Sequence, residues 1–210
     1  SQPKRNVWFV CPTYRQAKQV CWEALYVRLK ELNWIKKTNM SDLSIRLKNG
    51  SLIALRGADR SYDSLRGVGL DFLVMDEFAD IPSQAWYEVL RPTLSDKKGH
   101  VLFCGTPRGF GNYAYDLYCK SQEDKHWNSF QFTTLDGKQV DTDEVEQAKN
   151  DLDERTFRQE YLATFETYAG AIYYNFDREK NVKRIDIQDG AVHIGMDFNI
   201  DPMSSAVFQL

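Results

Sequence analysis

Three short segments of this chain are apolar at nearly every position, and they constrain its fold more than any other feature. They are Val7–Cys11, Leu70–Met75 and Val101–Cys104. Strands that are covered on both faces, as in the middle of a parallel sheet, have this pattern. We therefore expect three strands of one sheet, of which the first two are buried.

Helical patterns separate these strands. An apolar stripe with i, i+3, i+4 spacing runs from Ala17 to Leu32, and Thr13 is a candidate N-cap for that helix. The other predicted helices cover 84–91 with Ser83 as N-cap, 112–121, and a region from Thr142 to about 165 with a candidate break near 151–153. Strands that alternate with helices predict an α/β fold, with a mainly parallel sheet flanked by helices on both faces.

Shorter signals complete this outline. Leu43–Leu47 and Leu52–Leu55 flank Asn49-Gly50, which predicts a hairpin. Phe130–Phe132 is expected to belong to a further strand. The composition changes near 170 and 186–190, and new strands are expected from Val192 and over Ala206–Phe208. We therefore predict a domain over 1–168, a linker over 169–190 and the beginning of a second domain over 191–210.

Composition excludes several classes of protein. Hydrophobic residues make up 42% and charged residues 27%, which is not typical of disordered, collagen-like or coiled-coil chains. No apolar run approaches the roughly 18–20 residues that a membrane-spanning helix needs. The four cysteines form no C-x-x-C pair and are predicted to be buried, reduced thiols, and the three scattered histidines do not indicate a zinc site.

Charge is unevenly distributed along the chain. Residues 1–68 hold 13 Lys and Arg against 5 Asp and Glu, whereas the remainder holds 14 against 25, and the net charge is −3. This asymmetry is compatible with a basic face that meets a polyanion and also with simple solvation.

Asp76 and Glu77 come directly after the second apolar strand. Ligands of parallel sheets bind outside the carboxyl ends of the strands, so two adjacent carboxylates there suit a phosphoryl-transfer site. Asp76 would hold Mg²⁺, directly or through water, and Glu77 would orient and deprotonate an attacking water. The alternative is a solvated strand end.

Two neighbouring motifs fit the same chemistry. Gly105-Thr106-Pro107 closes the third apolar strand, where the hydroxyl of Thr106 could sense a γ-phosphate; the alternative is a simple Gly-Pro turn. Arg66 lies between small residues on a Gly-containing loop and could offer its guanidinium to a phosphate, in its own subunit or a neighbour's. The alternative for Arg66 is a surface arginine without a role.

Two nucleotide-binding signatures are rejected or absent. Gly109–Ala114 fits G-x-G-x-x-A, but it does not follow its strand directly. The sequence contains no G-x-x-x-x-G-K-[ST] phosphate loop. We therefore expect these 210 residues to bind ATP poorly by themselves.

Five motifs, taken in order, resemble the large terminase subunit of tailed bacteriophages. They are Val10–Lys18, Ser64–Gly67, Phe72–Asp80, Gly105–Pro107 and Gly195–Phe198. The resemblance implies a RecA/P-loop-type ATPase domain, incomplete at its N-terminus, followed by the first strands of an RNase H-like nuclease domain. It also implies a fragment that lacks the Walker A loop and most of the nuclease domain.

The resemblance assigns roles to individual residues. Asp76 and Glu77 would be the Walker B aspartate and the catalytic glutamate, Thr106 would belong to the coupling motif with Gly105 and Pro107, and Arg66 would match an arginine finger acting between subunits. Asp197 would be the first metal-binding carboxylate of the nuclease. Asp201 is too close in sequence to be a second ligand and is expected to be a turn residue before Pro202.

The same resemblance implies the partners. Family members hydrolyse ATP with Mg²⁺ to translocate double-stranded DNA into a procapsid, cut the concatemer with Mg²⁺ or Mn²⁺, and work as a homo-oligomeric ring with the portal protein and the small terminase subunit. They act in the cytoplasm of the bacterial host, without a membrane. Two alternatives remain open here: a DExx-type helicase or translocase, and a non-catalytic remnant that binds DNA or partner subunits.

Overall fold

The computed structural model describes residues 4–59, 62–166, 190–197 and 204–209. The chain forms two compact units, Ser1–Ala169 and Gly170–Leu210. The linker that we predicted over 169–190 lies outside the described residues except for Gly190.

The first unit is built on a six-stranded sheet with the order β2-β3-β4-β1-β5-β6. The strands are β1 (Asn6–Cys11), β2 (Ile35–Asn39), β3 (Ser44–Leu47), β4 (Leu52–Gly57), β5 (Phe72–Asp76) and β6 (His100–Cys104). β1 pairs in parallel with β4 and β5, and β5 pairs in parallel with β6. β2 and β3 are antiparallel additions at one edge. The predicted mainly parallel sheet is therefore confirmed, and β1 and β5 lie inside it, as their apolar sequences require.

Helices connect the strands. They are α1 (Tyr14–Ala17), a π-helical turn (Lys18–Trp22), α2 (Glu23–Glu31), a 3₁₀ turn (Tyr62–Leu65), a second 3₁₀ turn (Phe78–Asp80), a second π-helical segment (Ala85–Leu90), α3 (Arg91–Thr93), α4 (Tyr113–Glu123), α5 (Thr142–Asp151) and α6 (Glu154–Leu162). All helices among the described residues are too short or too polar to cross a membrane.

Two hydrophobic clusters hold the sheet between helical layers. Side chains alternate across a strand, so Val10 and its neighbour Cys11 face opposite sides of the sheet. Val10 belongs to a cluster with Met75 and the helical residue Trp86. Cys11 belongs to a second cluster with Trp22 and other residues of the first helical region. The result is a three-layer α/β/α arrangement, in which each fully buried large apolar side chain contributes roughly 1.5–3 kcal/mol.

Several local predictions can be compared with the structure. The side chain of Thr13 accepts a hydrogen bond from the N–H of Gln16 at 3.1 Å, which confirms it as an N-cap. Ser83 is wrong as a cap, because Ser83 and Gln84 are already helical before the π-helical segment begins at Ala85. Thr142 is also wrong as a cap, since it is the first residue of α5 and follows Asp141. The predicted break is confirmed, because α5 ends at Asp151 and the side chain of Asp153 caps α6.

The predicted strand over Phe130–Phe132 is wrong. These residues lie in irregular structure, and the side chains of Phe130 and Phe132 are 80% and 69% exposed. Alternating aromatic residues suit a strand, but the alternation cannot supply a neighbouring strand. Among the described residues, none pairs with this segment.

The second unit contributes one antiparallel pair, β7 (His193–Asp197) and β8 (Ser204–Phe208). Gly195 lies opposite Ala206, and Asp197 lies opposite Ser204. Ile194 and Val207 are exposed. Both strands were expected from the sequence.

Candidate active site at the carboxyl edge of the sheet

Asp76 lies where three parallel strands end. It is the last residue of β5, and Cys104, the last residue of β6, is its partner in the register. The thiol of Cys104 donates to Oδ1 of Asp76 at 3.3 Å, and the thiol of Cys11 at the end of β1 lies 3.8 Å from Oδ2. The carboxylate is thus held at the rim of the central sheet, as the sequence predicted.

The two thiols beside Asp76 stay protonated. Burial, together with the charge of Asp76 and its hydrogen bonds, raises the pKa of Cys11 and of Cys104 to about 12. Both side chains therefore act as weak S–H donors.

Glu77 follows Asp76 in a left-handed backbone conformation, with φ 48° and ψ 43°. That conformation is uncommon for a residue with a side chain and ends the strand abruptly. The carboxylate of Glu77 lies against the turn that follows β6, beside Gly105. Burial, and then the charge of Asp76, raise the pKa of Glu77, and the Thr106 N–H and Arg108 oppose this rise. Asp76, Glu77 and the turn after β6 therefore form one cluster.

Gly105 makes this close approach possible. It has φ +150°, and a Cβ at this position would lie 3.0 Å from the Cα of Glu77 and 3.4 Å from its Oε2. Only a residue without a side chain allows the two turns to pack so closely.

Arg108 is a member of the site that the sequence did not single out. Its guanidinium binds Asp80 in a bidentate manner, at 3.0 and 2.9 Å, and contacts Oε1 of Glu160 on α6 at 3.3 Å. Its charge also lowers the pKa of Glu77. The sequence offered one indication of this role, because Arg108 directly follows Gly105–Pro107. The ion-pair partners of Arg108 are distant in sequence.

Arg66 takes a different position. Its Nε donates to Asp63 at 2.8 Å and its Nη1 donates to the carbonyl of Glu88 at 3.0 Å. About half of its side chain is exposed. The structure therefore places Arg66 on the surface near the second π-helical segment, and it is not brought into the cluster of Asp76, Glu77 and the turn after β6.

Comparison with known proteins assigns the family. The family model described as "Terminase large subunit, T4likevirus-type, N-terminal" matches residues 1–180. The chain belongs to this family.

Individual terminases resemble the chain along most of its length. The large terminase subunit of Escherichia phage T5 is 33% identical over 187 residues, which cover 87% of this chain and 42% of that protein. The large terminase subunit of Thermus phage G20c is 26% identical and matches 84% of this chain and 43% of its own length. The chain thus spans less than half the length of these terminases.

Solved terminase structures share the fold. The Thermus phage P74-26 large terminase ATPase domain superposes with a TM-score of 0.67 at 26% identity, covering 78% of each chain. A large terminase from a thermophilic bacteriophage, in complex with ADP, superposes with a TM-score of 0.69 at 18% identity, covering 99% of this chain and 52% of that one. The α/β architecture of this terminase chain is therefore that of terminase ATPase domains.

The proposed nuclease residues of this terminase chain are only partly described. Asp197 ends β7, but the structure does not describe its side chain, and Asp201 lies outside the described residues. Asp197 also belongs to the second unit, Gly170–Leu210. Its role as a metal ligand stays a prediction.

Proposed function

We propose that the cluster at the carboxyl edge of the sheet is the ATP-hydrolysing site of a DNA-packaging motor. The observation that carries this proposal is the close packing of Glu77 against Gly105, in the turn that also holds Thr106, beside Asp76 at the strand end. Membership of the terminase family and the fold shared with the P74-26 ATPase domain support it.

In this proposal Glu77 orients the attacking water and accepts its proton. Burial raises the pKa of Glu77, and a carboxylate with a raised pKa is a stronger general base than a solvated one. Thr106 senses the γ-phosphate, and the turn formed with Gly105 and Pro107 transmits its loss. Arg66 acts as an arginine finger between subunits, in keeping with its exposed position.

Asp76 has the chemistry to hold Mg²⁺. Hard oxygen ligands suit this ion, and the groups described beside the carboxylate are weakly donating, protonated thiols that do not compete as metal ligands. Among the described residues, no group of three or more His, Cys, Asp or Glu side chains could hold a metal. Phosphate oxygens and water would then complete the coordination. Bound Mg²⁺ would neutralise charge on the phosphates.

The wider activity of this chain follows the family. We infer that it takes part in translocating double-stranded DNA into a procapsid within a homo-oligomeric ring, in contact with the portal protein and the small terminase subunit, in the cytoplasm of a bacterial host. The second unit would begin an RNase H-like nuclease domain, with Asp197 as a ligand for Mg²⁺ or Mn²⁺.

Substitution Glu77→Gln tests the hydrolytic role. The measurement is phosphate release from ATP by the chain joined behind a Walker A segment, because the 210 residues contain no such loop. Loss of a general base lowers turnover by about 10²- to 10⁴-fold, while a fluorescent nucleotide should bind with similar affinity. Glu123→Gln, on the exposed end of α4, is the matched control. Turnover that survives in Glu77→Gln would exclude Glu77 as the base.

A further inference from the structure

The two outer strands of the sheet carry four exposed basic side chains close together. Lys36 and Lys37 lie on β2, Arg46 lies on β3, and Lys48 follows the end of β3; we call these four residues the basic strip. β2 is the edge strand and β3 is its inner neighbour.

Like charges face each other across these strands. Lys37 and Arg46 are direct partners in the antiparallel register, and the pairing shifts between Ile35 and Lys37, where Lys36 is the extra residue of a bulge. Like charges directly opposite each other destabilise a sheet, and bulges re-aim side chains. The arrangement thus concentrates positive charge at a cost in stability.

Arg46 differs in its partners from other arginines of the first unit. Arg5 pairs with Asp71, Arg28 with Glu31 and Arg56 with Asp42.

The strip itself has neutral partners. Arg46 donates to the carbonyl of Gly50 at 3.3 Å, and Lys48 donates to the side-chain oxygen of Asn33 at 2.7 Å. Within the part of the chain that the structure describes, no ion pair joins a carboxylate to the strip. Its positive charge is uncompensated and exposed.

Protection of the sheet edge explains only half of this pattern. Lysines on an edge strand prevent edge-to-edge association, which accounts for Lys36 and Lys37. Arg46 lies on the inner strand β3, where the edge needs no such protection. A ligand with several negative charges accounts for all four residues.

We propose that the basic strip is a contact surface for the phosphate backbone of double-stranded DNA. The choice of DNA rests on the proposed packaging function, and the choice of surface rests on the charges described above. Backbone contacts from Lys and Arg carry no sequence information, which suits a protein that must hold any stretch of a genome. Arg46 on β3 and Lys48 just beyond its end are separate long side chains, so they can meet separate phosphates.

The test measures binding of the 210-residue chain to a fluorescein-labelled duplex of mixed sequence, about 30 base pairs long, between roughly 50 and 200 mM salt without nucleotide. A plot of the logarithm of the binding constant against the logarithm of the salt concentration is linear, and each lost phosphate contact reduces the magnitude of its slope by about 0.9. The double variant Lys37→Gln/Arg46→Gln should therefore lower that slope by about two and weaken binding roughly tenfold or more at the lowest salt concentration.

Two controls separate this role from general charge and from misfolding. Lys125→Gln/Lys149→Gln removes the same charge from other exposed positions and should leave binding nearly unchanged. Lys37→Arg/Arg46→Lys keeps the charge and should bind like the unmodified chain. Lys37→Gln/Arg46→Gln should also have a melting temperature equal to or higher than that of the unmodified chain, because it removes a like-charge pair.

Three outcomes would overturn the proposal: no duplex binding by the unmodified chain at the lowest salt concentration, equal losses in the two Gln double variants, or unchanged binding in Lys37→Gln/Arg46→Gln. None of these outcomes bears on hydrolysis, which Glu77→Gln tests separately. A failed DNA surface and a failed hydrolytic site are therefore distinguishable.

Discussion

Glu77 has a strained backbone, and its neighbours hold it in place. A residue with a side chain in the left-handed region costs on the order of 1–3 kcal/mol unless its surroundings impose that conformation. Here Gly105 packs against both the Cα and the carboxylate of Glu77. Such strain, located at a strand end beside Asp76, is typical of functional sites in which a side chain is held in a fixed orientation.

Substitution Gly105→Ala should damage this arrangement. The new Cβ would lie 3.0 Å from the Cα of Glu77, on a backbone with φ +150° that side chains rarely adopt. We expect the free energy of unfolding in urea to fall by roughly 1–3 kcal/mol. Gly137→Ala is the control, because its nearest contact is 3.4 Å away and its φ is not positive. Equal effects of the two substitutions would show that Gly105 has no special steric role.

At the scale of elements, the features that follow from local sequence patterns were predictable. The features that depend on contacts between distant segments were not. The apolar strands, the Asn49-Gly50 hairpin and the meeting of Asp76 with the Gly105–Pro107 turn were all predictable. β2 was not, because Ile-Lys-Lys-Thr-Asn has no apolar alternation and becomes a strand only by pairing with β3. The Arg108 ion pairs were not predictable either, since Asp80 and Glu160 are distant in sequence.

The start of β5 is joined to the start of β1 by a charged contact. Asp71 accepts from Nη1 of Arg5 and from the backbone N–H of Asn6, both at 2.7 Å. These hydrogen bonds lower the pKa of Asp71, although most of the Arg5 side chain is exposed. The contact connects two strands that are 65 residues apart in sequence.

Stability should therefore depend on the charge of Asp71. We expect Asp71→Asn to reduce the free energy of unfolding by roughly 1 kcal/mol near neutral pH. Because the folded pKa lies below the unfolded value of about 3.9, this contribution is present above that pH and is lost as the pH falls through the folded pKa. The difference between the unmodified chain and the variant, measured by urea unfolding from about pH 7 to about pH 3, should thus shrink toward acid pH. Asp96→Asn, in an exposed turn, is the control and should leave the free energy of unfolding nearly unchanged near neutral pH.

At the scale of the whole molecule, the two units differ in the size of the hydrophobic core that stabilises them. Both hydrophobic clusters lie within Ser1–Ala169, and a chain of this length can bury a substantial core. Near the end of this unit, Arg158 binds the buried Glu166 through two hydrogen bonds of 2.8 and 2.9 Å. The described part of Gly170–Leu210 contains one strand pair, and an isolated pair is marginally stable in water.

A chain that ends at Ala169 should therefore fold by itself. We expect one cooperative thermal transition, with a midpoint within a few degrees of the 210-residue chain, because both core clusters are retained. A chain that ends at Leu152 is the matched control. It loses the buried Phe157 of α6 and the ion pair between Arg108 and Glu160, so its midpoint should fall by several degrees more. If removal of residues 170–210 abolished the transition instead, the stability of the first unit would depend on the second, and the division at Ala169 would not describe independent folding units.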